Sequence, residues 1–512
     1  MTTAGIQDLP THDTDVLVVG AGPTGLMAGL VLARRGVPAI VIDGKTGPTR
    51  ESRALAVQAR TMEIYDQLGL AEQVIAGGYA ALNLQVGENA DPVGFSIESV
   101  QEGDTPYPGL QIFEQSRNEE LLAGSLESEG APVRWRHRLV ALLSGTDADD
   151  AGVRALVEGP DGLEVIRARW CIGADGAGSS VRHAMGAAFD GVTDDATFYV
   201  ADLLGVEGLP DHSLAARFGR ASFALFFPLG PGGHARIISM APGPEAEQAV
   251  ALEHAREDLG ITFSEVQWFS AYRVHHRVAS TFRKGSVILA GDAGHVHSPV
   301  GGQGMNTGLQ DAHHLANLLA DVAAGHRDIS ALDEYERDRR RVALFLVQVT
   351  DRAFSVIAGQ GRGTAMLRRG ASGLVASLAP KVLRTGLGGR LGGLLGQYRI
   401  HYHLAPSGRR APAWAEDDLV GRRLPPAGSN LDALRSFTWQ LHSYGATVAR
   451  PDVPSWVEGP ADHGVDPSGR LRSDRLYLVR PDGFVAASIP LDDGVADGAA
   501  LDDALAAASV LR

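Results

Sequence analysis

The chain has 512 residues, of which 44% are hydrophobic and 21% charged, with a net charge of −15. This composition excludes a disordered tail, a coiled coil and a collagen, and the length gives a prior of two to four domains. The acidic balance argues against a nucleic-acid partner, and no apolar run approaches 18 residues, so no membrane span is expected.

The chain opens with an acidic, proline-containing stretch that does not read as a signal peptide. Asp15 to Val19 is an apolar run with the signature of a buried parallel strand. Thr24 to Arg35 carries Leu26, Leu30 and Val31 on one helical face, and Gly36 stops it. Ala39 to Asp43 is a second strand, which completes a βαβ unit. Ala59 to Leu68 reads as a helix and residues 80 to 115 as strands with irregular loops. A helix is expected over Asn118 to Glu129, then three short strands over 133 to 172. Residues 190 to 240 are strand-rich, with Phe223 to Leu229 the strongest. Helices follow at Glu245 to Leu259, Met305 to Val322 and Leu332 to Thr350, with a strand at Ser286 to Ala290. The only cysteine, Cys171, excludes internal disulfides and a CxxC pair and suits a reducing cytoplasm. From Arg352 to Ala415 there is no Asp or Glu, while arginines recur. That stretch reads as linking helices packed on the preceding domain, in preference to an amphipathic membrane-surface helix. Prolines cluster from 406 to 426, which suggests a boundary near 405. A small α/β module is expected beyond it, with strands near 435 to 442 and 475 to 486 and a helix from Ala499 to Val510.

Two glycine-rich loops carry the chemistry. Gly20-Ala21-Gly22-Pro23-Thr24-Gly25 is GxGxxG between a strand and a helix. Gly20 permits the tight turn, Gly22 admits a pyrophosphate, and Gly25 lets helix meet strand. The helix N-terminus faces the phosphates with free N–H groups. Asp43, 18 residues after Gly25, is placed for a ribose 2′-hydroxyl and would meet a 2′-phosphate badly. The motif alone does not separate NAD from FAD. The second loop runs from Gly291-Asp292 through Pro299, Gly302 and Gly304 to Met305 and Asn306, again from a strand into a helix. Asp292 could bond a polyol chain, and the helix N-terminus suits a cofactor atom that becomes anionic. A third segment, Cys171 to Arg182, reads by itself as a strand end and a turn.

Together, GAGPTG, GADGAGSSVR and GDAGHVHSPVGGQGMNTGLQDAHHLANLL resemble the motifs of the FAD-dependent aromatic hydroxylases, the class A flavoprotein monooxygenases related to p-hydroxybenzoate hydroxylase. The resemblance covers nearly the whole chain. It is closest to the aromatic-polyketide and phenol-type hydroxylases that carry a C-terminal thioredoxin-like domain. Gly421 to Pro425 and Arg480 to Gly483 resemble that domain's markers.

The resemblance implies an α/β fold in which a Rossmann-type FAD-binding domain (1–80, 111–190 and 281–350) interleaves with a β-sheet substrate domain (81–110 and 191–280). Linking helices (351–404) and a thioredoxin-like domain (405–512) without dithiol chemistry would follow. FAD would be held non-covalently by Gly20, Gly22, Pro23, Gly25 and Asp43. Arg53 and Gln115 would flank the pyrophosphate and ribitol, and the strand around Leu139 the adenine. Asp175 would serve both FAD and nicotinamide, Asp292 the ribitol, and Pro299, Gly302, Gly304, Met305 and Asn306 the isoalloxazine. NAD(P)H, with NADPH favoured, would bind transiently and reduce the flavin. Dioxygen would then give a C4a-hydroperoxide that hydroxylates a polycyclic phenolic or polyketide ring. No catalytic side chain is implied, and no metal. Candidate substrate contacts are Arg217, Phe223, Phe226, Phe227, Pro228, Arg236 and Tyr272, with ordinary core as the competing reading of the phenylalanines. His295 reads as structural in its loop, His297 is a further candidate there, and His275 stays open. The same motifs would serve Baeyer–Villiger insertion or antibiotic inactivation, and a non-catalytic FAD-binding sensor is a second alternative. A monomer or homodimer is expected.

Overall fold

The computed structural model describes residues 7–50, 54–87, 93–147, 152–219, 222–243, 247–297, 302–358, 392–393, 396–402, 415 and 417–511. The expected linking stretch and the acid-free stretch therefore lie largely outside the described residues.

The first sheet is built on the βαβ unit read from the sequence. Strand β1 (Thr11–Val19) feeds helix α1 (Pro23–Arg34), which returns to β2 (Ala39–Asp43). β1 pairs in parallel with β2 on one side and with β3 (Gly162–Gly173) on the other. The strand Val287–Leu289 pairs in parallel with β3. Val16, Leu17 and Val18 in the centre are fully buried, as the middle strand of a covered parallel sheet requires. The register sets Val19 opposite Gly173 and Gly173 opposite Leu289. Three neighbouring strands thus end at one level, and each runs into a motif loop. After β3 comes the short helix α2 (Ser180–Met185).

The second sheet has eight strands. Its centre is β4 (Phe189–Leu204), β5 (Ser213–Phe218), β6 (Phe223–Pro228), β7 (Ala235–Met240) and β8 (Glu265–Ala279). Asn83–Gly87 and Val93–Ser96 extend it beyond β5. Helix α3 (Gln248–Leu259) buries Ala251, Leu252, Ala255 and Leu259 against one face, where Tyr199, Phe226 and Ile237 point. Gly260, at φ 64°, ends that helix in the left-handed region. The opposite face looks towards the first sheet.

Two long helices, α4 (Gly304–Ala323) and α5 (Leu332–Ala358), pack behind the first sheet. The C-terminal module is a five-stranded mixed sheet around Trp439, Tyr444 and Tyr477, with the helix Gly498–Ala507 capped by Asp497. Here and before β3 the sequence reading needs correction. A helical turn occupies Asn430–Ala433 and a 3₁₀ turn Leu434–Ser436, so the strand begins only at Gln440. The expected strand 475–486 is a hairpin, Arg475–Val479 and Val485–Asp492, bent at the Pro481-Asp482-Gly483 turn. Residues 133 to 172 form four strands, because a two-residue strand at Arg134–Trp135 precedes Arg138–Ser144. No helix among the described residues is long and apolar enough to cross a membrane.

Candidate functional site

A cavity of about 620 Å³ lies between the two sheets. The three motif loops form its floor at the carboxyl ends of β1, β3 and Val287–Leu289, the edge where open parallel sheets bind ligands.

The first loop is shaped by close approach. Gly20 has φ +105°, and a Cβ there would lie 2.3 Å from the Ala174 carbonyl oxygen. A Cβ on Gly25 would lie 1.8 Å from the Gly20 carbonyl oxygen. At Gly22 a Cβ would meet nothing within 4 Å; Gly22 and Pro23 line the cavity. This is the shape a pyrophosphate needs over a helix N-terminus, because an absent side chain leaves room for it. Asp43 sits beside the loop, its carboxylate accepting from the Ala21 amide at 2.7 Å and the Lys45 amide at 2.8 Å.

The second loop supplies polar groups. Asp292, on a 3₁₀ turn, lines the cavity. Asp292 is exposed there, while Gly291 and Ala293 on either side of it are buried. Gly302, Gly304 and Met305 also line the cavity, and no side chain caps the first turn of α4. Gln303 is buried, lines the cavity, and its Oε1 has no partner. Open room at Gly22, the carboxylate of Asp292 and this orphan acceptor together fit a large polar cofactor. Gln115 also lines the cavity and donates to Glu119 at 2.9 Å.

Other cofactor candidates sit elsewhere. Asn306 is fully buried and does not line the cavity. Its Nδ2 donates to the Ala56 and Gly302 carbonyls at 2.7 and 2.9 Å, and its Oδ1 accepts from the Gln58 amide at 2.9 Å. It ties the loop to the segment beside it. Asp175 accepts from the Ser179 hydroxyl and the Ser180 and Val181 amides, so its carboxylate caps α2. The loop reaches the cavity at Ala174, Gly176 and Ala177. Leu139 is a core residue of the first sheet. Arg53 and Pro299 lie outside the described residues.

The roof is the free face of the second sheet. Phe227, Ile238, Tyr272 and Val274 line it, with Leu55 and Val296 closing the sides. Of the seven substrate candidates, Phe227 and Tyr272 reach the cavity. Phe226 points the other way, into the core under α3. Arg217 shares that direction: β5 sets Ala215 opposite Phe226 and Arg217 opposite Ala224, and Arg217 donates to Gln85 at 2.7 Å. Burial lowers the Arg217 guanidinium from its ordinary value. Phe223 packs with Phe198, Met240 and Val274 in a core cluster. Pro228 is buried and does not line the cavity. Arg236 is held by Asp202 at 2.6 and 2.7 Å and by Glu114 at 2.8 Å, and it lies over Trp268. Two carboxylates already neutralise it, so it is no open anion site. His295 is buried and bonded to Asp311 at 2.7 Å, the structural role read for it. His275 and His297 both line the cavity. Ile238, Val274 and Arg273 also line the cavity, and no motif in the sequence marks them. The signal for Ile238 is period two, because it shares the face of Phe227 once the β6–β7 register is known.

Comparison with known proteins agrees with this geometry. Residues 13–350 match the family model described as FAD binding domain. The chain is 31% identical to a 12-dehydrotetracycline 5-monooxygenase/anhydrotetracycline 6-monooxygenase from Streptomyces rimosus, over 96% of this chain and 98% of that protein. It is 35% identical to a pentachlorophenol 4-monooxygenase from Sphingobium chlorophenolicum, over 69% and 66%. Among solved structures, an anhydrotetracycline hydroxylase from Streptomyces rimosus superimposes with a TM-score of 0.76 at 29% identity, covering 97% of this chain and 99% of that one. The chain belongs to the FAD binding domain family, among the class A flavin-dependent aromatic monooxygenases.

Proposed function

We propose that this protein hydroxylates a polycyclic phenolic or polyketide ring, with FAD bound between the two sheets and NADPH as electron donor. The observation that carries the reading is one cavity with two kinds of wall. Its floor is the glycine loops with Asp292 and Gln115; its roof is Phe227, Ile238, Tyr272 and Val274. When bound, FAD supplies electron transfer from NAD(P)H and the activation of dioxygen.

The chain's own residues position, shield and stabilise. Gly22 and Pro23 would take the pyrophosphate, Asp43 the ribose, and Asp292 and Gln115 the ribitol. The uncapped N–H groups at Gly304 and Met305 present the positive end of α4 to the ring, which favours a negative charge there. The apolar roof excludes water and takes an aromatic substrate flat against it. Sheet and loops thus do the catalytic work by placement, and no side chain is assigned as nucleophile.

Several finer assignments belong to the same proposal. The domain division given above is retained, with the C-terminal module as a thioredoxin-like domain that lacks the dithiol. We place the protein in the cytoplasm as a monomer or homodimer. NADPH is preferred over NADH, and no second GxGxxG holds it, so its binding is transient.

The test starts from the purified protein. Its visible spectrum is recorded, then NADPH consumption is followed with and without a panel of polycyclic phenols. Flavin bands, substrate-stimulated oxidation and a product heavier by one oxygen on an aromatic carbon are expected. An ester or lactone product would point to Baeyer–Villiger insertion. Flavin bands with no stimulated oxidation across the panel would count for a binding role, and a protein that stays colourless with added FAD would end the proposal.

A further inference from the structure

The two cofactor loops do not stand alone. Behind them, on α4, Asp311 is fully buried and its carboxylate is shared among three donors. Oδ2 accepts from the Gly291 amide at 3.1 Å and lies 2.7 Å from His295 Nε2. Oδ1 accepts from Arg339 Nε at 2.5 Å. Gly291 is the residue before Asp292, and it stands at φ +61°. One carboxylate therefore grips the Gly291–His295 turn at both ends. The other side of the turn is packed just as tightly. A Cβ on Gly291 would lie 2.5 Å from Thr24 Oγ1, and one on Gly308 of α4 would lie 2.4 Å from the same atom. Thr24 belongs to the first glycine loop. The two loops and α4 thus meet at Thr24, Gly291 and Gly308, and Asp311 supplies the polar tie across that junction.

Arg339 extends the tie away from the cavity. It is fully buried on α5, donates to the Thr307 carbonyl at 3.2 Å in the first turns of α4, and donates to the Tyr402 hydroxyl at 2.9 Å. Tyr402 stacks on Phe484 of the C-terminal module, with ring centroids 4.4 Å apart. Arg339 and His295 hold the Asp311 carboxyl down to about 2 against its burial, so it is charged across the working pH range. A buried charge with three well-aligned donors is costly to disturb from either side.

We propose that Asp311 is the positioning residue of the cofactor site: it fixes the turn that presents Asp292 and the start of α4 to FAD, and through Arg339 and Tyr402 it links that turn to the C-terminal module. The proposal rests on the FAD reading above. Asp311 touches neither cofactor nor substrate in this role.

The test compares two buried carboxylates. Asp311→Asn keeps the shape but loses the charge and one acceptor. Asp338→Asn is the control: Asp338 is also buried, on α5, and its neighbours are Arg337 and Arg480. FAD dissociation constants are measured by fluorescence on refolded apoprotein, with apo melting temperatures and the visible spectrum of bound flavin alongside. Both variants are expected to lower the apo melting temperature. Only Asp311→Asn is expected to weaken FAD binding, by 10-fold or more, and to blur the vibronic structure of the bound flavin band. Where Asp311→Asn does not fold, His295→Leu replaces it, removing one donor of the three, and the same selective loss is expected. Equal FAD affinity for Asp311→Asn and wild type, or equal weakening in Asp338→Asn, overturns the proposal. A wild-type protein that takes up no FAD overturns the functional reading itself, which separates the two failures.

Discussion

Replacing Gly22 with alanine is expected to leave the apoprotein folded and to obstruct the cofactor. The Gly22 backbone has φ −78° and ψ −178°, which alanine adopts without strain, and a Cβ there meets no atom within 4 Å. The unfolded chain loses some freedom, so apo stability should stay level or rise by ~0.4–1 kcal/mol. The new methyl group would stand where the pyrophosphate crosses the loop. Forcing an extra carbon into a close-packed contact costs about 1–3 kcal/mol, and at 1.4 kcal/mol per decade that is a roughly 5- to 150-fold weaker FAD complex. Gly25→Ala gives the contrast. Its Cβ would lie 1.8 Å from the Gly20 carbonyl oxygen, so the turn must open and the apoprotein itself should lose about 3 kcal/mol or more. Denaturant unfolding of the apoproteins and FAD titration by tryptophan quenching separate the two effects. Wild-type FAD affinity in Gly22→Ala would remove the pyrophosphate from this loop. Equal destabilisation in both variants would show that Gly22 is a packing glycine, contrary to the open space around it.

Phe227→Ala removes a ring from the cavity roof and is expected to lower kcat/KM for an aromatic substrate by about 10- to 150-fold, the equivalent of ~1.5–3 kcal/mol of buried apolar side chain. Phe226→Ala, one residue away on the opposite face, should cost about 3–5 kcal/mol of stability with KM unchanged; the two patterns exchanged would reverse the assignment of faces. Asp202→Ala takes one of two carboxylates from the buried Arg236 and should destabilise by ~3–5 kcal/mol, while the double change Asp202→Leu with Arg236→Met recovers much of that in a denaturation experiment. Raised KM for acidic substrates at unchanged stability in Arg236→Met would restore Arg236 as an anion contact. Burial holds His313 and His442 down to about 3 from the ordinary 6.5. The unfolded chain therefore protonates first, and the stability these residues contribute, complete above pH 6.5, declines as pH falls towards 3. Each adds a slope of about 1.4 kcal/mol per pH unit in that window, so His313→Gln should flatten the acid limb of stability against pH by that amount.

The cofactor half of the site was legible because it is local. A strand, a glycine loop and a helix start are written contiguously at 15–35 and again at 286–322, and the positions of Gly22, Pro23, Asp292, Gly302 and Met305 follow from those runs alone. Two polar residues of that half spend their side-chain bonds inside the protein. Asn306 and Asp175 stand where a ligand contact is plausible, but backbone groups reach them first: the Ala56 carbonyl and Gln58 amide for Asn306, and the Ser180 and Val181 amides for Asp175. Nothing in their own residue type distinguishes a capping carboxylate from a cofactor ligand. The C-terminal strand at 435 fails for a different reason, because Phe437 adopts φ 55°, a conformation that its side chain gives no reason to expect.

The substrate half depends on register, which the sequence does not carry. Alternation says that Phe226 and Phe227 point to opposite faces of β6, but which face meets the cavity is decided by α3. That helix covers the side holding Tyr199, Phe226 and Ile237 and leaves Phe227 and Ile238 to the other. The same pairing carries Arg217 to the covered side, and it sets Asp202 against Arg236 on β7, where their charges cancel before a substrate can use them. Convergence of the motif loops needs less. β1, β3 and Val287–Leu289 are parallel neighbours whose ends coincide at Val19, Gly173 and Leu289, so any loop that follows one of them faces the loops that follow the others. A parallel sheet therefore makes its binding edge from strand direction alone, whereas a mixed sheet must fix every pairing before its binding face exists. For this fold the loops at the floor of the cavity are thus encoded in short motifs. On the proposed function, substrate choice is spread over β6, β7 and β8, where a change at Phe227, Ile238 or Tyr272 would alter the ring that is accepted while the glycine loops stay as they are.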